Sequence, residues 1–235
     1  MSLAAPTEEG NKWTPTDQLI GIWVAWTVFA LALIYVAVMA LGFIAAGSLD
    51  APLVDPAFAI MEILILVQAP LIVLLFGVFH RYAAPRSRSL SLAAFALVVI
   101  MAGITLSVHF VLLTVGRQVP SGQLTGFDWL FSFNWPSVAY ALDILAWDYC
   151  FGLALLAAAP VFTGGPAERA VRTGLTLAGV LCLAGLLGVL TANMQIRNVG
   201  VVGYGGVFPV VSLLTARLFG RERAQARSSV GTSGE

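Results

Sequence analysis

The sequence predicts an all-α integral membrane protein, a bundle of six transmembrane helices with its amino and carboxyl termini in the cytoplasm. The first observation is composition: 59% of the 235 residues are hydrophobic and 10% are charged, whereas soluble domains average about 45–50% apolar and 25% charged residues. The mean hydropathy is +0.92. The second observation is that six apolar runs reach the roughly 17–25 residues needed to cross about 30 Å of hydrocarbon. The third is the distribution of the basic residues.

The predicted spans cover residues 19–46, 57–79, 92–116, 136–162, 173–194 and 199–219. The first apolar run is too long for the h-region of a secretory signal, so it is interpreted as an uncleaved span. The sequence TPTD before it is typical of a helix start, with Thr14 as cap and Pro15 in the first helical position. Residues 1–18 form a predicted cytoplasmic tail, and residues 220–235 a basic, disordered one. The connections are too short for a separate soluble domain.

The basic residues set the predicted orientation. With the amino terminus inside, ten of the twelve fall on the cytoplasmic side, which agrees with the positive-inside rule; these are Lys12, Arg81, Arg86, Arg88, Arg169, Arg172, Arg217, Arg221, Arg223 and Arg227. Arg117 and Arg197 fall outside. An odd number of spans would destroy this segregation, so it also supports six.

The outer connection at 117–135 is rich in aromatic residues, namely Phe127, Trp129, Phe131, Phe133 and Trp135. It is interpreted either as a belt at the membrane interface or as a lid over the outer mouth of a site. The sequence leaves both alternatives open.

Three ionisable residues from three spans are predicted to lie at one level. With a rise of about 1.5 Å per residue, Glu62 lies about 8 Å, His109 about 10 Å and Asp143 about 10 Å below the outer surface. Asn193 ends the fifth span near that level, and Tyr204 lies about 8 Å into the sixth. Because a charge at mid-span costs about 2.5–3.5 kcal/mol, such residues need a partner or a cavity. The shared depth of these polar residues therefore predicts a polar pocket that opens outward.

The fourth span carries a second acid. Tyr140 and Trp147 lie one turn from Asp143 and share its face, so they are predicted pocket walls. Asp148 follows five residues later, about 140° around an ideal helix, and is predicted to face different neighbours at a greater depth, near that of Gln68. Asp148 and Gln68 are interpreted as a helix staple or as steps in a proton path.

Simpler structural roles compete with these functions. His109 could be a packing residue that donates to a carbonyl, and Glu62 and Asp143 could be hydrogen-bonded staples. Cys150 and Cys182 form no redox motif and are interpreted as packing residues. Four glycines are expected to permit close helix packing, namely Gly200, Gly203, Gly205 and Gly206.

Several membrane chemistries are excluded by the residues present. There is no mid-span lysine for retinal, no pair of intramembrane histidines for haem, and too few histidines for a three-histidine zinc hydrolase. The sequence contains no nucleotide-binding loop or nucleic-acid surface. No cofactor is evident, although Glu62, His109 and Asp143 could hold a single divalent metal ion.

Three functional hypotheses remain. The first is a binder or carrier of a small amphiphilic or cationic molecule, with coupling to protons through His109. The second is an intramembrane enzyme with metal-assisted or general-base chemistry on a lipid-like substrate. The third is a structural or accessory subunit. The expected partners are the lipid bilayer of the inner (plasma) membrane, a small-molecule or lipid-like ligand and, in an oligomer, further copies of the chain.

Overall fold

The computed structural model describes residues 13–48, 53–119, 125–132 and 135–231. The structure is 88% helical, and no strand occurs within these ranges. Six helical segments are long and apolar enough to cross a membrane: Pro15–Ala46, Ala57–Tyr82, Pro85–Gly116, Val138–Val161, Pro166–Leu190 and Met194–Ser228. The predicted fold class of a six-helix membrane bundle is therefore confirmed. Lys12 and the rest of residues 1–12 lie outside the described ranges.

The first span is a single helix, α1 (Pro15–Ala46), that begins where the predicted cap places it. The Thr14 hydroxyl accepts from the Asp17 backbone N–H at 3.1 Å, and the Asp17 carboxylate accepts from the Thr14 N–H at 3.0 Å. This reciprocal capping box satisfies two backbone donors that the helix end leaves unpaired. The helix starts four residues before the predicted span because the cap, and not the first apolar residue, determines the start.

The second and third spans form an antiparallel pair. Helix α2 (Ala57–Tyr82) contains Pro70, and the turn Pro85–Ser87 leads into α3 (Arg88–Val111). The third span then continues as a π-helical segment, Leu112–Gly116. The predicted 92–116 span is thus extended at its start by four helical residues.

The fourth span is the most irregular and the most buried. A short helix of the 117–135 connection, α4 (Phe127–Phe131), precedes it. The span itself consists of α5 (Val138–Ile144), a π-helical segment (Leu145–Phe151), α6 (Gly152–Ala158) and a final 3₁₀ turn. In its apolar window, 67% of the residues are buried inside the protein, against 11% for the first span. The fourth span therefore occupies the middle of the bundle.

The last two spans are joined by a tight connection. Helix α7 (Pro166–Leu190) is followed by α8 (Met194–Val201), a π-helical segment (Val202–Val207) and α9 (Phe208–Gly231). The sixth span thus begins five residues before the predicted residue 199, and this difference places Arg197 inside a helix.

Contacts between the helices hold the bundle together. Helix α1 lies against both α2 and α9, and the fourth span lies against α3 and α7. Large aromatic side chains fill the centre, where the most buried are Phe76, Phe79, Phe151, Phe162, Phe208 and Phe219. Phe151 packs edge-on against Phe208 with centroids 4.8 Å apart, a favourable geometry for aromatic pairs.

The predicted disorder of residues 220–235 is wrong for the described part of this segment. Helix α9 continues to Gly231, since the stretch RERAQAR consists of strong helix formers. Glu222 also ties this helix to the bundle: it accepts from the Tyr82 hydroxyl at 2.7 Å and from Trp13 Nε1 at 3.2 Å. Residues 232–235 lie outside the described ranges.

Candidate functional site

Three of the predicted site residues come together in the order acid, imidazole, acid. His109 Nδ1 lies 2.8 Å from Glu62 Oε2, and Nε2 lies 3.4 Å from Asp143 Oδ1. The three side chains belong to three different spans, and each is at most 9% exposed. Because a protonated imidazole donates from both nitrogens, this arrangement between two carboxylates suits the imidazolium form.

Arg197 extends this chain of ion pairs from the other side. Its Nη2 lies 3.4 Å from Asp143 Oδ2 and 3.3 Å from Asp148 Oδ2. The side chain is buried within the bundle, although the sequence analysis placed it among the outer basic residues. We define the charge network as these five side chains: Glu62, His109, Asp143, Arg197 and Asp148. It joins the second, third, fourth and sixth spans.

The prediction that the two acids of the fourth span face different neighbours is wrong. Both contact the same guanidinium group of Arg197. The reason is the π-helical segment Leu145–Phe151, which begins directly after the α5 helix that carries Asp143. A π-helix bonds residue i to residue i+5 and so has more residues in each turn. Two acids five residues apart are thereby brought toward one face, whereas an ideal α-helix would separate them.

Asp148 lies in a pocket formed by two glycines. A Cβ atom added to Gly185 of α7 or to Gly200 of α8 would overlap the Asp148 carboxylate. No part of Asp148 is exposed. The absence of side chains at these two positions lets α7 and α8 approach the carboxylate, so the close-packing role expected for Gly200 is confirmed. Gly205 differs, because among the described residues its added Cβ would meet only Val201, one turn earlier, at 3.8 Å.

Aromatic rings surround the guanidinium group. Arg197 Cζ lies 5.1 Å from the centroid of the Tyr140 ring and 5.8 Å from that of Tyr204, within the range of cation–π attraction. Trp147 packs on Tyr204 with centroids 5.2 Å apart. The predicted wall residues Tyr140 and Trp147 therefore lie beside the charge network, together with Tyr204. Tyr35, which the sequence analysis missed, lies within electrostatic range of Glu62, Asp143 and Arg197.

Two predicted residues are not part of the network. Asn193 is exposed, and its side chain caps α8 by accepting from the Gln195 backbone N–H at 3.0 Å. Gln68 is buried on α2, and its Oε1 has no hydrogen-bond partner among the residues that the structure describes. Neither side chain forms a hydrogen bond or ion pair with the network in that part of the chain.

A cleft of about 210 Å³ lies between the third and fourth spans. Its walls include Val108 and Leu142, the chain neighbours of His109 and Asp143, and the α4 residues Leu130 and Phe131. Phe127 is buried, whereas Trp129 is 66% exposed. The 117–135 connection thus buries one aromatic side chain against the protein and exposes another. Phe133 lies outside the described ranges.

The groups around His109 determine whether it could bind a metal ion or act as a base on a neighbouring hydroxyl. Both ring nitrogens face carboxylates, and within the described ranges no group of three His, Cys, Asp or Glu side chains is arranged to hold a metal ion. The nearby Ser107 hydroxyl is exposed and donates to the Gly103 carbonyl at 2.8 Å. The imidazole is therefore oriented by acids and not toward this hydroxyl.

Comparisons with known proteins give no match: no family model, no curated protein and no solved structure is similar to this chain. The fold shown by the structure is that of a multi-pass membrane protein with six helices that can span a bilayer.

Proposed function

We propose that the protein is a carrier in the inner (plasma) membrane that couples the movement of a small cationic or amphiphilic molecule to proton binding in the charge network. The observation that carries this proposal is the continuous chain of five buried ionisable side chains from four spans. Ionisable residues within membrane spans commonly form ion pathways and proton relays.

A purely stabilising role explains the network less well. Each charge in a span costs about 2.5–3.5 kcal/mol on insertion scales, and buried ion pairs are often no more stabilising than apolar residues of similar volume. In addition, π-helical segments follow His109 in the third span and Arg197 in the sixth, and one includes Asp148. Such segments are frequent at functional sites.

The chemistry of the site favours a cationic ligand. Three carboxylates lie among the electron-rich faces of Tyr140, Trp147 and Tyr204, and aromatic faces bind organic cations, such as quaternary ammonium groups, through cation–π attraction. The neighbouring cleft is lined mainly by apolar side chains, which suits the apolar part of an amphiphilic molecule. Charge and aromatic surface together support this substrate class.

A second candidate is a structural clamp that holds the spans of an accessory subunit together. It is favoured by one observation: the network side chains contact each other directly, and the cleft does not include them. A clamp and a carrier differ in what they do to protons, so the two proposals can be separated experimentally.

The test measures proton movement in liposomes that contain the purified protein and an internal pH-sensitive dye. We expect the addition of tetraphenylphosphonium or a panel of quaternary ammonium ions outside to raise the internal pH, because each cation that enters exchanges for a proton. Glu62→Gln should reduce this signal to the rate of empty liposomes, since it removes the carboxylate paired with His109 at 2.8 Å.

The matched control is Asp55→Asn, which also removes one carboxylate. Asp55 pairs with Arg117, and both side chains are more than 40% exposed, so we expect the flux of this variant to equal that of the unmodified protein. Flux that is equal in the Glu62 variant and the unmodified protein would contradict the coupling role. No cation-dependent proton flux in any of the proteins would favour the clamp.

A further inference from the structure

The charge network contains more acidic than basic side chains. Glu62, Asp143 and Asp148 are three carboxylates, and Arg197 and His109 are the two bases that contact them among the described residues. Even with a protonated imidazole, one negative charge lacks a positive partner. An uncompensated buried charge is strongly unfavourable. The charge network must therefore hold one additional positive charge.

The contacts of the three acids differ. Glu62 lies 2.8 Å from His109, and Asp143 lies between His109 and Arg197, with a hydrogen bond from the latter. Among the described residues, Asp148 has only the shared Arg197 within ion-pair distance. Neither of its oxygens has a hydrogen-bond partner among the described residues, and none of its surface is exposed. Asp148 is therefore the acid whose ionised form is least well stabilised.

Within the described ranges, the elements packed around Asp148 supply no second cation. The fifth span presents Gly185 and the thiol-bearing Cys182, and the sixth span presents Gly200, Tyr204 and Arg197. On the fourth span itself the nearest charged group is Asp143, which shares Arg197. The charged group of the third span is His109, which contacts Glu62 and Asp143. In the described residues, Arg197 alone compensates Asp148.

We propose that Asp148 holds a proton in the conformation of this structure, in which the network side chains contact each other. A bound cation then replaces this proton one for one. The cation supplies the positive charge that the network lacks, and the proton leaves the Asp148 carboxyl group for water on the open side of the membrane. Arg197, already in contact with the Asp148 carboxylate oxygen, then pairs with the ionised acid. This inference rests on the coupling role proposed above and names the group that carries it out.

The test is infrared spectroscopy of the whole protein in lipid nanodiscs, which detects the C=O stretching band of a protonated carboxylic acid. The protein is produced once unlabelled and once with aspartate carrying ¹³C in its side-chain carboxyl group. We expect one such band at neutral pH that shifts with the label. Asp143→Glu should keep the label-dependent shift, whereas Asp148→Glu should lose it because the protonated group is then an unlabelled glutamate.

Asp148→Asn provides a second variant that keeps the length of the side chain, because the space between Gly185 and Gly200 is tight. This variant should abolish the band. If neither Asp148 variant folds, Asp143→Glu still decides, because a retained label shift excludes Asp143. The proposal is overturned if the unmodified protein shows no C=O band, or if the band does not shift with the labelled aspartate. It is also overturned if Asp143→Glu loses this shift, or if Asp148→Asn keeps the shifted band. The infrared band does not depend on transport. A protonated Asp148 can therefore be detected even if the liposomes show no proton flux, and flux can be detected even if Asp148 is not protonated.

Discussion

Replacing Arg197 with methionine should lower the free energy of unfolding by about 3–5 kcal/mol, the cost of removing one partner from a buried ion pair. The change leaves the Asp143 carboxylate and the Asp148 carboxyl group without the guanidinium group that both contact. It also removes the cation from between the rings of Tyr140 and Tyr204. Methionine retains most of the side-chain volume, so the loss reports on charge more than on packing.

Thermal unfolding in detergent with a thiol-reactive fluorescent dye would measure this loss, because Cys150 and Cys182 are buried free thiols that react only when the bundle opens. The control is Arg117→Met, whose pair with Asp55 is exposed. An exposed pair contributes about 0–1 kcal/mol, so the control should melt close to the unmodified protein. Equal shifts for both variants would contradict a special role of Arg197.

The second large effect is expected from Gly200→Ala. The new methyl group would overlap the Asp148 carboxylate and approach the Cys182 carbonyl oxygen to 3.4 Å. Inserting a methyl group into a tightly packed interior costs about 1–3 kcal/mol. The strain falls on the contact between α8 and the π-helical segment of the fourth span, so we also expect Gly200→Ala to impair proton-coupled flux.

Gly205→Ala is the matched control for this change, because in the part of the chain that the structure describes its new Cβ would meet only Val201 Cγ1, at 3.8 Å. Alanine stabilises a helix by up to about 1 kcal/mol relative to glycine, so Gly205→Ala should be neutral or stabilising in the same thermal assay. Equal melting temperatures for the two variants would show that Asp148 is not held as tightly as the structure indicates.

The sequence predicted most of the fold and part of the site, for identifiable physical reasons. Six spans follow from run length alone, because a helix must cross a hydrocarbon layer of fixed thickness. Glu62, His109 and Asp143 were predicted to meet since a constant rise per residue gives the depth of each. The structure brings these three side chains together.

The missed features depend on backbone geometry that composition does not reveal. The separation of Asp143 and Asp148 was deduced from ideal α-helical spacing, and the π-helical segment Leu145–Phe151 changes that spacing. Arg197 was assigned to the outer side because the sixth span was counted from its first apolar run. The cap at Asn193 is the signal that could have corrected this, since asparagine favours the position just before a helix, and α8 begins at Met194.

The central claim is that five side chains act as one network, and a double-mutant cycle between Glu62→Gln and Arg197→Met tests it most directly. The two residues lie on the second and sixth spans and are linked through His109 and Asp143. Because one change removes a negative charge and the other a positive charge, the double variant should be more stable than the sum of the single losses predicts. We expect a coupling energy of about 0.5–3 kcal/mol, the range measured within connected networks. Additive losses, within about 0.3–0.5 kcal/mol, would contradict the claim and leave two independent ion pairs.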